Sequence, residues 1–233
     1  MVNEILIFAS CSNELNAKEF LTYPIDGLIL ESKDKKAVTL GTMQLIQKRT
    51  TLPIFCRVQS DLVDKDYDLA LKKLLVDANI FLEAGASGIL FRNEEESMSI
   101  ALNKLIQTKN GKAMIEENPS FEHPLAQYEL FLSFQPYCIL STGYQSKPIH
   151  GMAMIQELQH YFKEHLEIAP YGNIDPNEVL AILNDSKTHI LVIDEEHLKD
   201  MEDIIKALYE YSPLQAKSNQ IQEDKAYDIP YFE

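Results

Sequence analysis

The side chains able to do chemistry in this sequence are three cysteines, six histidines and several short runs of carboxylates. Cys11, Cys56 and Cys138 are widely spaced and form no C-x-x-C pair. A soft metal ion takes thiolate or thioether ligands at close range, so a metal site would need two of these thiols, or a thiol and a methionine, to converge. Cys56 alternates with Phe55 and Arg57 in an apolar run, which turns it toward flanking helices as a small buried hydrophobe. Cys11 follows the first apolar run and is the one candidate metal ligand. The histidines show no H-x-H or H-E-x-x-H spacing and no pair four apart, so an imidazole metal site is not expected.

Arg57 and Gln59 lie two apart, on one face of a strand, and with Glu116 they form the candidate catalytic set. A carboxylate beside a guanidinium can serve as acid or base. The competing reading makes Arg57 half of an internal ion pair. It makes Asp61, Glu116, Glu117, Asp194, Glu195 and Glu196 solvated loop charges. Two backbone motifs, Ser141-Thr142-Gly143 and Gly172-Asn173, are the candidate ligand- or phosphate-binding positions, because each follows a short apolar run where barrel loops bind anions. Tyr171 and Asn173 flank the single glycine of the second motif, and bulky neighbours hold backbone away from a phosphate. No G-x-S-x-G nucleophile turn occurs.

Short apolar runs at 4–9, 26–30, 53–59, 88–91, 112–115, 137–140, 167–169 and 189–193 predict eight strands covered on both faces. Between them lie helical periods. Tyr67, Ala70, Leu71, Leu74, Leu75, Ala78, Phe81 and Leu82 mark one helix face, which Gly85 ends from the C′ position. Asp175-Pro176 supplies an N-cap and an N1 proline ahead of Val179, Leu180 and Leu183. Eight βα units in about 210 residues predict a single-domain (β/α)₈ TIM barrel over 1–211; an open doubly wound sheet is the alternative. Residues 212–233 break the pattern and form a polar tail with an aromatic end, suited to docking on the barrel or on a second subunit as a homodimer.

Lys and Arg number 21 against 36 Asp and Glu, a net charge of −15. Such a surface repels phosphate backbones and anionic lipid, which argues against nucleic-acid and membrane partners and leaves a small molecule or a metal ion as ligand. No apolar stretch approaches the length of a membrane span. An odd number of scattered cysteines and no leader-like N-terminus point to the cytoplasm.

Four fragments then carry a resemblance. Asp77 followed by Glu83-Ala84-Gly85-Ala86-Ser87-Gly88-Ile89-Leu90-Phe91 is similar to the "D…ELGADGVVFG" of the CutC family of copper homeostasis proteins. The run His123-Pro124-Leu125-Ala126-Gln127-Tyr128-Glu129 resembles its "DPLAALE". Ile139-Leu140-Ser141-Thr142-Gly143 resembles its "ILTSG". Ile168-Ala169-Pro170-Tyr171-Gly172-Asn173-Ile174, with Glu178-Val179, resembles its "IMPGGGI…ENV". The register runs from about residue 4 to 185. The resemblance implies a (β/α)₈ barrel, a cytoplasmic location and a role in copper homeostasis, with copper as the implied ligand.

The departures cluster at strand ends. Ile29 stands where the family has a glutamate. Arg57-Val58-Gln59-Ser60-Asp61 stands where the family has a pair of arginines. Ile115, Glu116 and Pro119 take the places of a His, an Arg and an Asp. The expectation is a barrel whose mouth has lost most of its reactive side chains and which is not catalytic through the family's usual residues. The alternative is a lyase, isomerase or hydrolase acting on a small phosphorylated or sugar-like metabolite at the C-terminal face.

Overall fold

A computed structural model describes residues 4–32, 34–60, 66–118, 124–162 and 165–211, without the side chains of 124–127. Asp61, Pro119, His123 and the segment 212–233 lie outside the described residues. The strands are β1 (Leu6–Cys11), β2 (Gly27–Leu30), β3 (Ile54–Arg57), β4 (Gly88–Arg92), β5 (Lys112–Glu116), β6 (Cys138–Ser141), β7 (Ile168–Pro170) and β8 (Ile190–Asp194). They alternate with α1 (Glu14–Phe20), α2 (Leu40–Gln47), α3 (Tyr67–Glu83), α4 (Glu96–Thr108), α5 (Pro124–Phe134), α6 (Met152–Phe162), α7 (Val179–Ser186) and α8 (Met201–Glu210). All eight predicted strands form, each within a few residues of its expected bounds.

Every ladder is parallel, and the hydrogen-bonded order is β7-β6-β5-β4-β3-β2-β1-β8. The β1–β8 ladder runs from Leu6 opposite Ile190 to Ser10 opposite Asp194, and β8 lies beside β7, so the row of strands closes into a (β/α)₈ barrel in place of the open sheet. At the last joint β7 and β8 lie side by side without ladder bonds. Side chains bridge it. The Thr188 hydroxyl lies 2.7 Å from the Ile168 carbonyl and 2.8 Å from the Glu167 carboxylate, and Glu167 also accepts from the His189 amide at 2.5 Å.

The helices form where the periodicity places them. Asp66 caps α3 by accepting from the Leu69 amide, and Ala70, Leu74, Ala78 and Phe81 make its buried face. Gly85, at φ +98°, ends it in the left-handed conformation that a side chain would strain. Asp175 and Glu178 form a capping box on a 3-10 turn, Pro176–Glu178, that leads into α7.

Two cores result. One lies between the strands and the helix ring; the other fills the barrel. Inside, Phe8, Phe55 and Tyr137 pack edge-on or tilted with centroids 5.5–5.9 Å apart. Gly27 and Gly88 make room for them: a Cβ on Gly27 would stand 2.3 Å from the Phe8 ring, and one on Gly88 2.6 Å from the Phe55 ring. Among the described residues no helix is long and apolar enough to cross a membrane.

Candidate functional site

Side chains two apart on a strand face the same way. Moving up the strands by two residues, the barrel interior changes from apolar to polar nearly everywhere at once. Phe8 gives way to Ser10, Ile29 to Glu31, Phe55 to Arg57, Met114 to Glu116, Ala169 to Tyr171 and Val192 to Asp194. These six polar residues form one layer at the carboxyl ends of the strands, the end where barrels build their sites.

The layer is organised around Glu31, which is 2% exposed. Its Oε1 accepts from Ser10 Oγ at 2.7 Å, from the Tyr171 hydroxyl at 2.6 Å and from Lys35 Nζ at 3.0 Å. Its Oε2 accepts from Arg57 Nε at 2.6 Å. Arg57 also donates to the Glu116 carboxylate and, at 3.2 Å, to the Tyr171 oxygen. Lys35 comes from the loop after β2. There Glu31 and Ala37 make an antiparallel bridge, and Lys35 itself takes a left-handed conformation at φ +57°. That bend carries Nζ over the Tyr171 ring, 4.3 Å from its centre, and 3.1 Å from Asp194 Oδ1.

Burial alone pushes a carboxyl up, but Arg57, Lys35 and the hydroxyls of Tyr171 and Ser10 together hold Glu31 below the ordinary range. Burial works against the Lys35 ammonium, yet Glu31 and Asp194 raise its pKa, so it stays charged. Arg57 is held cationic by Glu116 and Glu31 against its own desolvation. Burial and Glu31 keep Tyr171 a neutral phenol. Asp194 differs: burial raises its pKa in spite of Lys35. A carboxyl nearer to neutrality, beside a fixed ammonium, can take and return a proton.

Above the layer opens a cavity of about 290 Å³. Thr142, Ser146, Gly172, Asn173 and Glu196 join Lys35, Glu116 and Asp194 in its walls. Among the described residues, the carboxylates Glu31, Glu116, Asp194, Glu195 and Glu196 face two cations, Arg57 and Lys35. Glu195 is already engaged by the Ser12 amide and hydroxyl and by Asn16 Nδ2, which ties β8 to α1.

The sequence-derived candidates divide. Arg57 and Glu116 meet at the mouth, joined to each other. Thr142, Gly172 and Asn173 line it, with Asn173 Oδ1 2.7 Å from His197 Nε2. Gln59 does not line it. β3 ends at Arg57, so the two-residue alternation stops there; Gln59 lines a small enclosed pocket with Leu74, Phe91 and Met98, its Oε1 buried without a hydrogen bond. Ser141 and Gly143 serve the fold. Ser141 Oγ donates to Glu117 and accepts from the Gly143 amide at 2.9 Å. Gly143, at φ +62°, packs so closely on Gly151 that a Cβ would lie 2.1 Å from its carbonyl oxygen.

The expectation of a depleted mouth is overturned. Sequence comparison placed Ile29 where a glutamate was sought, whereas Glu31, one interior step higher, holds the centre of the layer. Asp194, read from the sequence as a loop carboxylate, and Tyr171, read as a bulky neighbour of Gly172, each sit one step above an interior apolar residue, Val192 and Ala169. Lys35 had no periodic signal, since a loop bend positions it.

Cys11 does not fit a copper ligand. It lies within β1, fully buried on the helix-facing side, and burial, with Glu195 and Glu31 nearby, pushes its thiol up to about 12. Cys56 faces the same way two strands along, with Leu30 between them in register, so the two backbones stand about 10 Å apart. Cys138 is inside the barrel. Among the described residues no three His, Cys, Asp or Glu side chains form a group that could hold a metal ion.

No family model matches the chain. Over 152 residues it is 24% identical to a CutC family protein from Treponema denticola, an alignment that covers 62% of this chain and 61% of that protein, so the match spans less than two thirds of the relative. A crystal structure described as a copper homeostasis protein CutC, from Streptococcus agalactiae, superposes with a TM-score of 0.66 at 12% identity, over 82% of this chain and 98% of that one. 3-Hexulose-6-phosphate synthase from Salmonella typhimurium gives 0.64 at 10% identity, over 88% and 99%. Phosphoribosylanthranilate isomerase from Thermotoga maritima gives 0.62 at 10%, over 89% and 100%. At such identities these structures speak for the barrel fold alone. The ordered sequence fragments and the Treponema alignment show a divergent likeness to CutC proteins, and the solved structures show the (β/α)₈ barrel.

Proposed function

We propose that the chain is a barrel enzyme that binds a small, uncharged, sugar-like metabolite at the C-terminal mouth and moves a proton there. The observation that carries this reading is the convergence of Glu31, Arg57, Glu116, Tyr171, Asp194 and Lys35 beneath one polar cavity. Its volume, about 290 Å³, is at the small end of ligand pockets. Asp194 is the acid–base group, and the Lys35 ammonium stabilises developing negative charge on substrate oxygen. Thr142, Ser146 and Asn173 supply hydrogen bonds to hydroxyl groups. Such an arrangement suits a lyase, isomerase or hydrolase.

A phosphorylated substrate is disfavoured. Among the described residues five mouth carboxylates oppose two cations that are already paired, and the Thr142 and Gly143 amides already lie against the buried Glu117 carboxyl. Copper handling, the role in the streptococcal neighbour's description, is the second reading; it rests on that name and finds no soft ligand set in the residues described. Three free, buried thiols suit a reducing compartment such as the cytoplasm.

The test is a ligand panel read by thermal shift and calorimetry: neutral sugars, the same sugars phosphorylated, and Cu(I) under reducing conditions. Binding of a neutral sugar that Asp194→Asn weakens at least tenfold supports the proposal. Stoichiometric Cu(I) uptake abolished by Cys11→Ala, with no sugar bound, would replace it with the copper reading.

A further inference from the structure

Exposed apolar surface is unevenly spread round the helix ring. Tyr67, Leu69, Val76, Ile80 and Ile100, half of the large apolar side chains found exposed among the described residues, all lie on α3 and α4. Between these two helices runs a groove of about 700 Å³, its floor made by Leu71, Leu75, Ala101 and Leu105 and its rim by Val76 and Ile80. An apolar channel left open between two neighbouring helices, with further exposed apolar side chains on both, is a candidate contact site. The groove's charges are distinctive too. Lys72 and Lys104 flank it against a single carboxylate, Asp68, and neither lysine has an ion pair among the described residues, whereas the nearby Lys73 and Lys109 are paired with Asp77 and Glu83.

We propose that the segment 227–233 of this same chain, Tyr-Asp-Ile-Pro-Tyr-Phe-Glu, occupies the α3–α4 groove. It matches the groove in three ways. Tyr227, Ile229, Tyr231 and Phe232 supply apolar area, and in an extended segment Tyr227, Ile229 and Tyr231 fall on one face. Asp228 and Glu233 bring charge opposite to Lys72 and Lys104. The chain is also long enough. Tyr211 leaves α8 in an extended conformation, and α3 stands three helix positions further round the ring, about 30 Å at the usual interhelical spacing. The fifteen residues 212–226 reach about 50 Å. A second copy of the chain is the competing occupant, but it would bring another fifteen net negative charges to the contact.

The chain contains no tryptophan, so Tyr231→Trp installs a single reporter. In the full chain its emission is expected to the blue of the same residue in a free peptide of residues 212–233. Ile80→Glu, a surface change on α3, returns it to the peptide's value. Lys72→Glu with Lys104→Glu does so partially and more strongly at low salt. This pair of surface charge reversals keeps the test open should Ile80→Glu fail to fold by circular dichroism. Peptide-like emission in the parent overturns the proposal, as does blue emission that neither groove variant moves. A doubled mass by light scattering, abolished by Ile80→Glu, would put a second copy in the groove instead.

Discussion

Glu31 and Glu117 are both buried carboxyls, 2% and 4% exposed, and their pKa values move in opposite directions. Glu31 points into the barrel, where two cations and two hydroxyls meet it, and it stays ionised. Glu117 follows β5 on the opposite side. It meets the Ser141 hydroxyl and the Thr142 and Gly143 amides but, among the described residues, no cation; burial, with Glu116 adding to it, raises it to about 7. One of its oxygens is buried without a hydrogen bond. Depth alone therefore does not set the charge of a buried carboxyl. The presence of a guanidinium and an ammonium inside the barrel does, and it keeps Glu31 ionised while Glu117 remains a titrating group.

Removing the cation should erase the difference at the largest cost. Arg57→Met leaves Glu31 without its strongest partner and is expected to destabilise the protein by about 3–5 kcal/mol, measured by urea denaturation at pH 7; a loss under 1 kcal/mol would mean that Glu31 is held by other groups. Glu117→Gln acts in the other direction. The folded state keeps the Glu117 proton to higher pH than the unfolded state does, so its contribution is complete below about 4.5 and is lost as pH rises through about 7. The parent should lose about 1–3 kcal/mol relative to Glu117→Gln between pH 5 and 8, and parallel stability–pH curves for the two proteins would contradict this.

Smaller effects separate mouth from scaffold. Gly172→Ala meets no atom closer than 3.5 Å, but its φ of +112° is strained for a side chain, so it should cost about 1 kcal/mol in the same assay. Asp194→Asn keeps Lys35 paired to Glu31 and should change stability by less than about 1 kcal/mol while weakening sugar binding at least tenfold. Equal binding by parent and variant would remove Asp194 from the site.

The fold was legible because apolar runs and helical periods are dense signals: α3 and its Gly85 stop, the Asp175 capping box and all eight strands follow from them. The mouth was half legible. Arg57 and Glu116 stand out as charges beside apolar strands. Glu31, Tyr171 and Asp194 carry the same signal once the interior register is fixed, being two residues above Ile29, Ala169 and Val192, but a comparison of motifs aligned by position hid it. Gln59 misled because alternation was extended past the strand's end. No pattern in the chain announces Lys35, whose place depends on a left-handed bend and a bridge between Glu31 and Ala37.

The joint between β7 and β8 gives the barrel a beginning and an end. Seven neighbouring pairs are laced through their backbones, and the eighth is fastened by Thr188 and Glu167. A ring closed in this way opens as a clasp does, at one place and without unravelling the rest. Amide exchange should therefore be fastest at this joint among the strands. Because Tyr171 and Asp194 stand immediately above its two sides, each such opening would spread the mouth itself and turn the unlaced seam into a doorway for whatever enters.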